Sequence, residues 1–111
     1  MENKYLYYIM PKAKRDLHDI GEYIMEELQH PKAAKDFFIK FSEKIDVLLQ
    51  FPFSGQLIDN KHIADTDLRK IVVGNYIVFY KPDEQAKTII IVRIIHGSRN
   101  IDKALKTMKT K

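Results

Sequence analysis

Between residues 13 and 28 the apolar positions Ala13, Leu17, Ile20, Ile24 and Leu28 recur every three or four residues. That spacing lays them on one stripe of an amphipathic helix of about four turns. Asp16, Asp19, Glu22, Glu26 and Glu27 fall mainly off the stripe. Pro11 closes the β-prone, aromatic run KYLYYI at 4–9 and suits the first turn of the helix. After a short break at His30-Pro31, a second helix carries Ala34, Phe37, Phe38, Phe41, Ile45, Leu48 and Leu49 on a broad apolar face. Phe51-Pro52 ends it, because the residue before a proline is disfavoured in helical geometry. So short a connection predicts two helices packed antiparallel as a hairpin.

Residues 53–66 show no period and read as a long loop. The period then changes to that of strands. Leu68 to Val73 and Tyr76 to Lys81 flank Gly74-Asn75, a two-residue loop suited to a tight hairpin. This pairs Val73 with Tyr76, Ile71 with Val78 and Arg69 with Tyr80. A polar turn at 81–85 leads into Thr88 to Ile95, a β-branched run of the kind buried on both faces. On a regular strand Arg93 shares a face with Ile91 and Ile95 while His96 points the other way, unless the chain bends at Gly97. Residues 100–108 suit a last short helix, and the lysine-rich end reads as a frayed tail from 103 to 111. The order strand, helix, helix, loop and three antiparallel strands predicts an α+β two-layer domain spanning 1–111.

Composition narrows the chemistry. With no cysteine among 111 residues there is no disulfide, thiolate metal site or cysteine nucleophile. No run approaches the length of a membrane span, and residues 1–11 lack the pattern of a signal peptide, so a cytoplasmic location without membrane association is expected. His18, His30 and His62 show no metal-ligand spacing with one another. There is no Walker loop, dinucleotide fingerprint, nucleophile elbow or HExxH, so neither a metal nor a cofactor is expected. A net charge of +4 favours an anionic partner.

The candidate chemistry lies on the last strands, where Arg69, Arg93, His96 and Arg99 bring cations to the rim of one sheet. Arg93 inside an apolar strand is either paired with an acidic residue of the first helix or a functional cation. His96 is a packed or capping residue, or a base that neighbouring cations keep neutral. Arg69 stacks on Tyr80 or contacts phosphate; Arg99 binds solvent, a helix end or phosphate. Lys103, Lys106, Lys109 and Lys111 form a solvated tail or a phosphate-facing patch. RNA cleavage beside a 2′-hydroxyl needs a base, cations around the phosphate and an acid for the leaving oxygen. A histidine is worth roughly 10²–10⁴-fold as base, and a preorganised donor on the order of 10²–10³-fold. The acid is missing, because no tyrosine follows Tyr80.

Five segments together resemble the RelE/ParE toxins of bacterial type II toxin–antitoxin modules, also called plasmid stabilisation proteins. They are AKRDLHDIGEYI at 13–24, PKAA at 31–34, FPFSG at 51–55, LRKIVVGNYIVFY at 68–80 and IIIVRIIHGSRN at 89–100. The resemblance implies a helical hairpin packed on a curved antiparallel sheet. It also implies a growth-arresting toxin, a cognate antitoxin that wraps it in a hetero-oligomer, and a target of either DNA gyrase or ribosome-bound mRNA. In the mRNA-cleaving branch Arg69 and Arg93 fall where arginines contact phosphate, and His96 falls near a histidine used in catalysis. The same histidine also occurs in the gyrase-inhibiting branch, to which the long helical hairpin, the FPFSG turn and the phrase VGNYIVFY are closer, and the missing late tyrosine departs from several nucleolytic members.

Overall fold

The computed structural model describes residues 4–58 and 67–108. Its elements are β1 (Leu6–Ile9), α1 (Pro11–Glu22), a π-helical turn (Tyr23–Glu27), α2 (Pro31–Gln50), β2 (Gln56–Leu57), β3 (Arg69–Val73), β4 (Tyr76–Asp83), β5 (Thr88–His96) and α3 (Ile101–Met108). The five strands form one mixed sheet in the order β1-β5-β4-β3-β2. The expected hairpin register is present, with Arg69 opposite Tyr80, Ile71 opposite Val78 and Val73 opposite Tyr76. Gly74 turns the hairpin at φ +60°, a value that costs glycine little and other residues more.

The elements and their pairing depart from the sequence reading in several places. β1 pairs with β5 in parallel, so the sheet is mixed rather than antiparallel. The aperiodic segment contributes the short strand β2, antiparallel to β3; residues 59–66 and His62 lie outside the described residues. Residues 81–83 continue β4, which shortens the polar turn. The last helix is not only a tail: Leu105 of α3 is buried, while residues 109–111 lie outside the described residues.

Two clusters hold the sheet from opposite sides. On one face Ile20 and Ile24, with Phe37, Phe41, Ile45 and Leu48 of α2, pack on Val78, Tyr80, Ile89, Ile91 and Ile94. Such fully buried aliphatic side chains contribute about 1.5–3 kcal/mol each. On the other face Leu105 of α3 joins Leu68, Phe79 and Ile95, which adds a third layer to the expected two. The helices of the hairpin approach closely at Gly21, where an added Cβ would lie 3.0 Å from the Phe38 ring. Beyond Gly21 the π-helical turn gives the Leu28 amide a partner at Tyr23 and the His30 amide a partner at Ile24. The wider turn rotates the residues after it, and Leu28 leaves the predicted stripe to stand 54% exposed. Gln29 then takes a left-handed conformation and ends the turn.

β5 contains the decisive irregularity. Phe79 pairs with Arg93 but Tyr80 pairs with Ile91, so β5 carries one extra residue at this point. The bulge resets the alternation: Ile91 lies in the helix-side cluster and Ile95 in the α3-side cluster. They therefore do not share the face predicted for them, and the reset comes before Gly97, whose amide still bonds the Asn75 carbonyl. β1 ends opposite Ile91, so the rest of β5 outlasts its parallel partner. Asp16 of α1 meets this stretch, accepting hydrogen bonds from the Ile94 amide at 2.9 Å and from the Arg93 guanidinium at 2.7 and 3.1 Å. Replacing Asp16 by Ala strands a largely buried guanidinium and a strand amide. Urea unfolding should show a loss of about 3–5 kcal/mol, and a loss below about 1 kcal/mol would mean that water or a neighbour replaces the carboxylate.

Candidate functional site

The four predicted cations reach four different surroundings. Arg93 is held by Asp16, and both side chains are largely buried, at 11% and 14% exposed. Its pairing is the acidic-residue alternative raised by the sequence. Arg69 donates from Nη1 to the carbonyls of Phe53 at 3.1 Å and Gly55 at 2.9 Å. Its guanidinium lies 5.2 Å from the centre of the Phe53 ring, so the aromatic it stacks on is Phe53. The Arg69 Nε is buried without a hydrogen-bond partner among the described residues.

Tyr80, opposite Arg69, completes a latch on the same turn. Its hydroxyl accepts from the Gly55 amide at 2.8 Å and donates to the Pro52 carbonyl at 3.0 Å. Burial raises its pKa above the ordinary 10.0, while the Gly55 bond and the Arg69 charge pull it back down. A Cβ at residue 55 would collide with the Tyr80 ring and hydroxyl, so only glycine fits there. The FPFSG segment is thus a turn fastened to the sheet, and Arg69 is one of its fasteners.

His96 ends β5 opposite Tyr76, against whose ring it packs edge-to-face at 5.1 Å. Its Nδ1 accepts from the Ser98 amide at 3.1 Å and lies 2.8 Å from the Ser98 hydroxyl. An N–H donor requires the lone pair on Nδ1, so the neutral ring carries its proton on Nε2. Arg99 follows with an exposed side chain, and its amide bonds the His96 carbonyl.

Register separates these groups. His96 pairs with Tyr76 and Arg69 with Tyr80, four positions apart on β4. At strand rise that places their backbones about 13 Å apart along the strand. The helix-side end of the sheet instead opens into a cleft of about 380 Å³ lined by Asp19, Ile20, Tyr23, Tyr76, His96 and Ser98. Burial, then the neighbouring Tyr23, raises the pKa of Tyr76. Sequence reasoning found only His96 of this set; the others come from α1, the π-helical turn, the start of β4 and the turn after β5. His18, Asp19 and Glu22 on the exposed face of α1 have ligand atoms within 4.8 Å of one another. Lys103 and Lys106 are exposed on α3, and Lys109 and Lys111 lie outside the described residues.

The architecture is a small α+β fold, a hairpin of helices on one face of a mixed sheet and a final helix on the other. The profile of the ParE toxin of type II toxin–antitoxin systems matches residues 7–101. The chain belongs to that family, within the RelE/ParE superfamily, and is a type II toxin. No curated protein matches it in sequence. Its fold is similar to that of a chain from the chromosomal ParDE system of P. aeruginosa, at TM-score 0.66 and 19% identity over 85% of this chain and 97% of that one. It is also similar to a chain of the archaeal RelE–RelB complex from Pyrococcus horikoshii, at TM-score 0.60 and 23% identity over 87% and 99%. The isolated E. coli RelE toxin matches at TM-score 0.55 and 16% identity over 93% and 97%. Among the described residues no helix is long and apolar enough to cross a membrane.

The latch is testable through Tyr80. Tyr80→Phe leaves a buried amide unpaired and should cost about 1–3 kcal/mol in chemical unfolding. Because the folded-state pKa of Tyr80 is raised above 10.0, its contribution is full below that value and is lost as pH climbs past it toward the folded pKa. The wild type should therefore lose stability in that alkaline window, and Tyr80→Phe should lose less; identical slopes would exclude Tyr80 as a cause.

Proposed function

We propose that this toxin arrests growth by binding DNA gyrase and is held inactive by a cognate antitoxin in a cytoplasmic hetero-oligomer. The observation that carries the reading is the internal use of the cations. Arg93 is paired with Asp16, Arg69 fastens the 52–55 turn, and Nδ1 of His96 accepts from the Ser98 amide. Cleavage needs such groups free and convergent on one phosphate. A protein-binding poison needs a rigid surface, which buried ion pairs and latches help to maintain. The ParE profile supports the same side.

The second reading is a ribosome-dependent, metal-independent mRNA endoribonuclease using His96 as base with Arg69, Arg93 and Arg99 around the phosphate. It is favoured by the exposed Arg99 just beyond the end of β5 and by the similarity to RelE folds. RNA 5′-end mapping after brief induction, run beside plasmid supercoiling assays, separates the two. The gyrase reading expects altered supercoiling, an SOS response and no ribosome-phased cuts, with arrest retained in His96→Ala and Arg99→Ala. Phased mRNA cuts with normal supercoiling, abolished by His96→Ala while antitoxin binding persists, would replace it with the nuclease reading.

A further inference from the structure

The cleft at the end of β5 presents more hydrogen-bond acceptors than the protein uses. Its Tyr76 ring is clamped between Phe37, at 5.2 Å, and His96, at 5.1 Å. Among the described residues, the structure shows no hydrogen bond from the Tyr76 or Tyr23 hydroxyl, or to the Asp19 carboxylate, involving another residue. The cleft thus offers a carboxylate, two phenol oxygens and exposed aromatic surface with no internal partner. Glu22 places a second carboxylate within 4.8 Å of Asp19. On a chain of net charge +4 this is a local reversal of sign.

These features select a ligand. Carboxylates at the rim repel phosphate and other anions. A cation is favoured by the rings, and a donor-rich one by the unpaired acceptors. A planar guanidinium satisfies both requirements, whereas a lysine ammonium is a more strongly hydrated point charge. We propose that this cleft receives the arginine side chain of a protein partner, its guanidinium paired with Asp19 and flanked by the phenols of Tyr23 and Tyr76. The site does not depend on which molecule the toxin poisons. The charged and titratable groups around it are His18, Asp19, Glu22, Tyr23, Tyr76 and His96, with the His18 imidazole 3.3 Å from the Glu22 carboxylate.

The test is an NMR titration of the isotope-labelled full chain with N-acetyl-arginine methylamide, run beside the corresponding blocked lysine and inorganic phosphate. A single side chain with this contact set should bind with a Kd of about 1–10 mM. Saturable shifts should centre on the amides of Tyr23, Gly97 and Ser98 and on the His96 ring, with arginine binding more tightly than lysine. Asp19→Asn, a substitution of an exposed side chain, should weaken binding about five- to tenfold, and Tyr23→Ala should weaken it independently. The proposal is overturned by shifts that fail to saturate, by equal affinity in Asp19→Asn, or by phosphate binding the cleft more tightly than arginine. A failed gyrase assay would leave this result untouched, because the titration reads binding alone.

Discussion

The junction of Asp16 with β5 carries the rest of the structure. β1 is too short to accompany β5 along its length, and a strand edge that outlasts its partner must satisfy its amides elsewhere. Asp16 supplies acceptors to the Ile94 amide and to both nitrogens that Arg93 presents to it. One carboxylate thereby joins α1 to the sheet, neutralises a charge inside an apolar strand and sits beside the bulge. Removing water from such a pair is costly, and the compensation comes from geometry: two bonds to the guanidinium and a third to the backbone. The helix-side core is assembled around this fixed point.

The bulge has consequences at both ends of the sheet. By resetting the alternation it leaves Ile94 facing the helices and Ile95 facing α3, so both clusters remain filled past the irregularity. It also leaves His96 against Tyr76, at the mouth of the cleft beside α1. At the far end, Tyr80 and Arg69 use the hairpin register to hold the turn at 52–55. Of the cations on the sheet, Arg93 is held by Asp16 and Arg69 by the 52–55 turn.

The periodic parts of the fold were legible in the chain. The hairpin register followed from two central residues, Gly74 and Asn75, because a two-residue loop allows one pairing. The helices followed from apolar spacing and from Pro11 and Pro31. The short strand β2 was not legible, since two residues provide no period and depend on β3 for their hydrogen bonds. The alternation of β5 misled for a similar reason. IIIVRII is apolar on both faces, so it contains no signal of where an extra residue enters. Leu28 fitted the helical stripe, and only the π-helical turn removes it.

By itself the sequence determined the helical hairpin, the β3–β4 pairing and the presence of Arg69, Arg93, His96 and Arg99 near one sheet, because each depends on local period or short-range turn chemistry, while the family was read from the resemblance of five segments. Tertiary structure decided which neighbours those four residues meet. Whether a guanidinium is free or paired depends on a carboxylate 77 residues away in the chain, and which imidazole nitrogen is engaged depends on the turn that follows the strand. The grouping of Asp19, Tyr23 and Tyr76 with His96 was likewise a decision of packing, since the helix and strands that contribute them meet only once the core has formed.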